Sequence, residues 1–600
     1  MGQLELPFSE PDAEAVEWVV LARQPGAAAK QALVAELARA LGLHPIVAKV
    51  LVNRGCRSLE EARTFLEPTL DRLHDPMLML GMEQALERIL RAIRAREEIL
   101  VHGDYDVDGV GATALLRTML ERLGARVRTY IPHRLEEGYG LSLRCVREAA
   151  GQGVSLLITV DCGVRDEEQI AEALRLGMAV VVTDHHLPGD HLPPAHAVLC
   201  PKWHQCRYPF QDLAGVGVVY KLAQALSLAA GAGDLRDSKE FLDLVALGTV
   251  ADSVPLLDEN RILVTEGLAA LGETARPGLR ALMDLADVEP PVTTRDIGFR
   301  LGPRLNAAGR LEHAQTALDL LLCADAASAR DLAAKLHAAN NARRHHQERV
   351  LREAWFQCEN ERDLEREKVV TLWGAGWHEG VIGVVAARVS ERTGRPAVLI
   401  SIRGDAARGS ARSIGNFDIV AALSHCDDLL RQYGGHAMAA GLQLNPLHLE
   451  QLRERLNAVA DKTLTPADLR PSLTVDAELS PSEVTMELAE QLQRLGPFGE
   501  ANPEPLFCSG PLFIRDMRRM GSDRTHLAFQ AAENREGPWM DCVGFGLGQL
   551  GEALEQAGRA SLCFTVGVDT WNGLRRVRLF VRDAKPCPAV GGVCLRHDLR

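Results

Sequence analysis

What this 600-residue chain lacks narrows its class before any motif is read. No apolar run approaches the ~20 residues that cross a bilayer, so no membrane-spanning helix is expected. The start, Met1-Gly2-Gln3-Leu4-Glu5, lacks the basic-then-apolar layout of a secretory leader. Leu6 also stands where a myristoylation signal carries Ser or Thr. Thirteen cysteines are scattered, mostly in apolar contexts, and even Cys200, His204 and Cys206 lack the paired spacing of a zinc site. Reduced thiols in a cytoplasmic protein are the expectation. A basic surplus is missing too: the net charge is −14 and the pI about 5.8, which speaks against indiscriminate coating of nucleic acid. A defined basic groove remains compatible with that balance, and bound metal would offset part of the negative charge.

What is present is concentrated. Ile99 to Val101 run into His102, Asp104, Asp106 and Asp108, and Gly109 and Gly111 then open an apolar helix. Carboxylates at that density repel one another, and a divalent cation is the usual compensation. A polar turn with Asp108 as helix N-cap is the alternative. The pattern returns twice: 156–160 runs into Asp161-Cys162-Gly163, and 179–183 into Asp184-His185-His186. A fourth apolar segment, 244–250, precedes Asp252. Apolar runs without alternation, separated by helical stretches, read as strands of a buried parallel sheet. Ligands collect beyond the carboxyl ends of such strands, so these groups would converge on one edge. Carboxylates with imidazoles suit manganese, magnesium or zinc, and their number implies two ions rather than one.

Other segments carry candidate substrate contacts. Arg134 lies in the loop 132–141, beside His133 and the glycines around Tyr139. Arg304, Asn306 and Arg310 stand in Gly302-Pro303-Arg304-Leu305-Asn306-Ala307-Ala308-Gly309-Arg310, read as a Gly/Pro loop able to clamp a phosphodiester or simply to join two helices. Ser410 and Arg412 follow Gly409, and Gly434-Gly435-His436 offers small residues, amides and an imidazole. Gly215 and Gly217 open a helix without the dinucleotide fingerprint and read as close helix packing. The arginines of 82–98 read as a solvated face. His345 and His346 read as surface, and His378 is left without a role.

Length alone asks for several domains. The expected fold is α/β and multidomain: a helical region over 1–75, a parallel-sheet metal domain over 76–260, and a helical connector over 261–366 with a long strut from Ala327 to about Glu365. A second α/β domain over 367–465, a linker over 466–504 and a small β-barrel over 505–600 complete it. The last region has short alternating strands, as an OB-fold does. Its arginines 515, 518, 519, 524, 575, 576 and 578 are interleaved with Phe513, Phe529 and Trp571, the composition of a single-strand-binding surface or of core aromatics with solvated arginines.

His102-x-x-x-Asp106-x-Asp108, Asp161, Asp184-His185-His186 and Asp252, in that order, resemble the four-motif signature of the DHH phosphoesterase family. Gly434-Gly435-His436-Ala437-Met438-Ala439-Ala440-Gly441 is similar to the signature of the DHHA1 domain that accompanies it. Within the family the resemblance is to the bacterial single-strand-specific exonucleases, and it covers nearly the whole chain. It implies a metal-dependent exodeoxyribonuclease, acting 5′→3′ on single-stranded DNA to release 5′-mononucleotides in repair and recombination. It implies one ion on His102, Asp106 and Asp161, and a second on Asp108, Asp161, His185 and Asp252, with Mn²⁺ or Mg²⁺ as the metal. His186 would stabilise charge or assist proton transfer, and Asp104 would act from behind the ligands. Arg134, Arg304, Asn306, Arg310, Ser410, Arg412, Gly434, Gly435 and His436 would hold the strand. A monomer working with single-strand-binding protein and a RecQ-type helicase is also implied. The competing readings are a DHH enzyme for small phosphate substrates and a non-catalytic DNA-binding scaffold.

Overall fold

The computed structural model describes residues 16–21, 27–134, 136–521, 523–571 and 574–587, so the opening residues Met1 to Leu6 lie outside the described ones. The chain divides into two units, one of residues 68–469 with 499–501, the other of 1–67, 470–498 and 502–600.

In the larger unit, unalternating apolar runs form the expected parallel sheet. Its strands, in spatial order, are Arg126–Tyr130, Glu98–Gly103, Val154–Val160, Ala179–Thr183 and Ala197–Leu199. His102 pairs in register with Thr159, and Thr159 with Val182, so the strand ends carrying His102, Asp161 and Asp184 lie side by side. The fourth apolar segment departs from expectation. Leu242–Ala251 is a helix, buried over its first eight residues, and Asp252 is its C-cap. A segment apolar on every face is buried as readily in a helix as in a strand, and periodicity does not separate the two.

Gly302–Leu311 is likewise a helix rather than a loop, following the π-helical turn Ile297–Leu301. Pro303 in its first turn costs no hydrogen bond there. The strut is Ala326–Asn360, 35 residues and so about 50 Å long, capped by Asp325 through the amides of Ala327 and Ser328. It packs against Pro277–Leu285, Gly302–Leu311 and Glu379–Thr393, which ties the metal domain to the second α/β domain. That domain has a five-stranded mixed sheet ordered Leu430–His436, Ala439–Leu444, Ala406–Arg412, Ala397–Arg403 and Val370–Ala375. Arg88 is not on a solvated face: it is buried and paired with Glu97 at 2.6 Å.

In the smaller unit, Leu512–Met520, His526–Ala532, Met540–Gly544, Leu574–Pro586 and Arg559–Trp571 hydrogen-bond in a closed ring, a five-stranded barrel of OB type. Residues 466–504 are more than a linker. Ala477–Glu478 adds a strand to this sheet through Phe507–Cys508, and Leu488 and Leu492 of the helix Met486–Gln493 enter the barrel core. The helices Ala27–Leu41 and Pro45–Asn53 contribute Leu37, Val47 and Leu51 to that core, and Glu17–Val20 pairs in parallel with Ser472–Val475.

Candidate active site

Each acid at the sheet's carboxyl edge is held by the backbone around it. Asp106, not Asp108, is the N-cap of Val107–Arg122: its Oδ1 accepts the amides of Asp108 at 2.9 Å and Gly109 at 3.1 Å. Asp108 is thereby free to turn inward, where Oδ2 accepts the Gly215 amide at 2.6 Å and Oδ1 the Val216 amide at 2.9 Å. Those two amides begin the helix Gly215–Ala229, whose dipole favours the charge. Asp161 leaves its strand in the left-handed region, at φ +61°, with Oδ1 buried and without a hydrogen bond. The Asp184 amide donates to the Leu199 carbonyl at the end of the neighbouring strand, 3.0 Å away, and its carboxylate collects local donors. Its Oδ1 accepts from the His185 amide at 2.8 Å, the His186 amide at 3.0 Å and His186 Nδ1 at 2.8 Å, while Oδ2 takes the Val164 amide. It thus orients two histidines.

His185 Nε2 lies 3.2 Å from Asp161 Oδ1, 3.5 Å from Asp252 Oδ2 and 4.0 Å from Asp108 Oδ2, yet it hydrogen-bonds to none of them. Three groups have donor atoms within 4.8 Å of one another: Asp108, His185 and Asp252; Asp161, His185 and His186; Asp104, Asp106 and Asp161. His102 joins none of them. Its ring is fully buried and stacked 5.4 Å from Tyr130, with an unpartnered Nε2. Asp104, expected only behind the ligands, stands within the third group.

The electrostatics ask for cations. Burial, and then the neighbouring carboxylates, hold Asp104, Asp108 and Asp161 well above the usual carboxylate range, with Asp106 raised as well. Burial pushes the His102 and His185 imidazoles down to about 4, which leaves them neutral and able to donate a lone pair. The His186 imidazole is raised despite burial because the Asp184 carboxylate pairs with it. Orphaned buried atoms on Asp104, Asp161 and His185 within the acid cluster, and on His102 at the end of the adjoining strand, fit a site for divalent metal.

Beside these acids the charge reverses, with Asp106 near enough to act on Arg310. Burial lowers Arg310 to about 9, and Arg134, Arg343 and Arg412 add like-charge repulsion. Arg412 is lowered by burial and by Arg134. Arg310 Nη1 donates to the Gly380 carbonyl at 3.1 Å, and Arg412 Nη1 to Ser410 Oγ at 3.2 Å. The helix Glu379–Thr393 starts against them: a Cβ on Gly380 would meet the Arg310 carbonyl at 2.4 Å, and one on Gly383 the Ser410 hydroxyl at 2.8 Å. Converging guanidinium groups beside a helix N-terminus are surroundings that suit an anion. Arg134 stacks 4.8 Å over the Tyr105 ring. A cavity of about 160 Å³ beside Ser253 is lined by Asn306, Arg310 and Arg343.

The remaining candidates divide. Asn306 is structural in part, its Oδ1 accepting the Val107 amide at 3.2 Å. Arg304 turns to His337 and the Arg300 carbonyl, away from the Arg310 cluster. His378 is the N-cap of its helix, accepting the Gly380 amide. Gly434, Gly435 and His436 lie in a strand paired to Ala439–Leu444 rather than in an open anion loop. Gly435, at φ +146°, leaves no space for a Cβ, which would sit 2.2 Å from the Ala439 carbonyl. His436 is lowered by burial and then by Arg165, His186 and Lys202, so it faces the metal domain. On the barrel, Phe513 is flanked by Arg559 at 4.7 Å and Arg535 at 5.4 Å, and Arg515 covers Trp539 at 4.0 Å. Phe529 is buried in the barrel core and so cannot stack on a base, and Arg575 and Arg578 are paired with Glu490 and Asp569. The Trp571 side chain lies outside the described residues.

Gly215 and Arg343 are not legible as site residues, and Tyr139 is so only through its loop, 132–141. The glycine pair of 215 and 217 was the only signal for the first, since a glycine opening a helix marks a close approach of some kind.

Three family models match the chain: the DHH family N-terminal domain over 98–249, the DHHA1 domain over 366–462 and the RecJ OB domain over 475–583. The single-stranded-DNA-specific exonuclease RecJ of Bacillus subtilis is 40% identical over 554 residues, which cover 92% of this chain and 69% of that one. The protein of the same name in Escherichia coli is 35% identical over 565 residues, covering 91% and 96%. Among solved structures, RecJ from Thermus thermophilus in complex with Mn²⁺ superimposes with a TM-score of 0.82 at 31% identity, covering 96% of this chain and 80% of that one. The same protein has also been solved in complex with Mg²⁺, and matches with a TM-score of 0.77 at 30% identity, covering 96% and 79%.

Proposed function

Because the chain belongs to the RecJ family of single-stranded-DNA-specific exonucleases, we propose that it hydrolyses single-stranded DNA from the 5′ end to 5′-mononucleotides, in repair and recombination. The observation that carries this reading is the pairing of His185, centred among three carboxylates without a hydrogen bond, with a cluster of Arg134, Arg310, Arg343 and Arg412 gathered from separate segments of the chain beside them. Acids that lack a counter-charge and guanidinium groups that lack a carboxylate are both satisfied by metal ions bound to a phosphodiester.

The candidate ligands are His102, Asp106 and Asp161 for one ion, with Asp104 beside them, and Asp108, Asp161, His185 and Asp252 for the other. Two divalent ions, Mn²⁺ or Mg²⁺, would supply an activated water and neutralise charge on the scissile phosphate. The chain's own residues supply the rest. Arg134, Arg310, Ser410 and Arg412 grip a phosphate and fix the strand's register. Asp184 holds His186 with Nε2 free, placed to stabilise developing charge or carry a proton. His436 and the Gly434-Gly435 strand form the opposing wall. The arginine-flanked Phe513 and Trp539 of the barrel give bases a stacking surface, which a small-substrate DHH enzyme has no use for. Among the described residues no helix is long and apolar enough to cross a membrane. The reading places the enzyme in the cytoplasm as a monomer, on strands supplied through single-strand-binding protein and a RecQ-type helicase.

The test is to incubate the protein with Mn²⁺ or Mg²⁺ and single strands labelled at either end, with duplex and pyrophosphate as controls. Early labelled mononucleotide from the 5′-labelled strand alone, lost in Asp161→Ala, is the expected result. Binding without degradation would support the scaffold reading, and phosphate release from pyrophosphate alone the small-substrate one.

A further inference from the structure

Tyr139 is the one tyrosine whose hydroxyl reaches two of the metal motifs among the described residues. Its O–H lies 3.0 Å from the Asp161 carbonyl and 2.9 Å from His186 Nδ1, and its ring meets the His186 ring edge-on at 5.2 Å. The loop that carries it is anchored on both sides. Before it, Glu137 accepts the Tyr130 hydroxyl at 2.7 Å and the His133 amide at 2.9 Å. After it, the Leu141 amide donates to Asp166 Oδ2 at 2.8 Å. Gly138 and Gly140 lie at φ +83° and +86°, and a Cβ on Gly140 would meet the Asp166 carboxylate at 2.7 Å. The side chain is held rather than hung, although 47% of the residue is exposed.

The protons on this linkage have one consistent order. The Asp161 carbonyl only accepts, so the tyrosine proton goes there. The Asp184 carboxylate also only accepts, so His186 Nδ1 carries a proton, donated to Asp184 and shared with the tyrosine oxygen. Nε2 is then the ring nitrogen outside this linkage. The same hydroxyl braces the carbonyl of Asp161, a residue held at φ +61° where a non-glycine residue is strained. That residue's Oδ1 is buried, unpartnered and 3.2 Å from His185 Nε2.

We infer that Tyr139 is a positioning residue of the metal centre: its hydroxyl clamps the strained Asp161 backbone and holds the His186 ring in place beside it. This rests on the exonuclease reading for its kinetic consequence but not for its metal-binding one. The exposed ring is a separate matter, because a ring without the hydroxyl would stay open to a substrate but would brace nothing.

The experiment compares Tyr139→Phe and Tyr139→Ala with the unaltered full chain. Mn²⁺ binding to the resting protein is measured by calorimetry, kcat and KM on a single-stranded oligonucleotide, and strand binding with Ca²⁺ in place of Mn²⁺. Tyr139→Phe keeps the ring and is expected to leave the melting temperature in EDTA unchanged. It is expected to weaken Mn²⁺ binding severalfold and to lower kcat about tenfold, with KM and Ca²⁺-supported strand binding within about twofold. Unaltered Mn²⁺ binding and kcat in Tyr139→Phe, with a KM defect confined to Tyr139→Ala, would overturn the inference and make the ring a substrate contact. If no nuclease activity exists in any form, the calorimetric arm still decides the clamp.

Discussion

The Gly215 amide donates to Asp108 Oδ2 at 2.6 Å, while the Gly215 Cα packs so tightly on Asp161 that a Cβ would stand 2.5 Å from Oδ1. One glycine therefore serves two carboxylates, one by its N–H and one by having no side chain. Gly215→Ala is expected to displace Asp161 and lower kcat about a hundredfold, because misplacement by ~1 Å is costly in a site of this kind. Gly217→Ala is the control. Its Cβ would meet only the flexible Leu213 side chain, at 3.2 Å, and activity should survive. Steady-state kinetics with a Mn²⁺ titration checks both.

Removing a charge from the acid cluster should stabilise the metal-free protein. Asp161 is raised by burial and then by Asp108, Asp106 and Asp252, so its ionised form is strained there. Asp161→Asn tolerates the left-handed backbone, since asparagine visits that region readily. Its melting temperature in EDTA should exceed that of the parent by a few degrees. Saturating Mn²⁺, worth ~2.7 kcal/mol at a hundredfold excess over Kd, should stabilise the parent and shift the variant far less. A variant melting below the parent in EDTA would show the cluster to be compensated in some other way.

Arg310 combines burial, repulsion from Arg134, Arg343 and Arg412, and a single hydrogen bond to the Gly380 carbonyl. In Arg310→Met, relief of burial and repulsion offsets that lost bond, and stability should change by less than about 1 kcal/mol. KM for single-stranded DNA should rise about tenfold or more, and the salt dependence of strand binding should flatten by ~0.7 in log–log slope. Binding at several salt concentrations reads both effects.

Asp166 is a pH probe outside the metal ligands. Burial pushes its carboxyl up to about 6, opposed by the Leu141 amide. With the folded value above the unfolded one, the native state disfavours the charged form. The penalty is absent below pH ~4, grows up to ~6 and is complete above that. Asp166→Asn keeps an acceptor for Leu141 and removes the charge. It should stabilise the protein by about 1 kcal/mol at pH 8 and by little at pH 4.5, as thermal melts at the two values will report.

Chemistry was legible wherever it is written in consecutive residues. The runs ending in His102, Asp161 and Asp184 are apolar, short and followed by acids, and such runs have few fates other than buried parallel strands. The direction of a parallel sheet then brings their ends together, which is why the acids could be grouped from sequence order alone. Short alternating strands likewise indicated a barrel, which closes in the structure through the pairing of Arg559–Trp571 with Leu574–Pro586.

Identity and position within that frame depended on contacts between residues far apart in the chain. Leu242–Ala251 reads equally as strand or helix because nearly every side chain is apolar, and only its surroundings select the helix. Asp106 outcompetes Asp108 as the cap because Gly215 and Val216, over a hundred residues away, offer Asp108 better donors. Gly302–Leu311 folds as a helix because the neighbouring strut buries one side of it, against the local pull of its glycines and proline. Tyr139 becomes part of the centre only when its loop is laid over Asp161 and His186. Local composition sets which groups can bind metal or phosphate. Packing of distant segments sets which of them face one another, because burial and hydrogen-bond geometry belong to pairs of residues that sequence order does not relate.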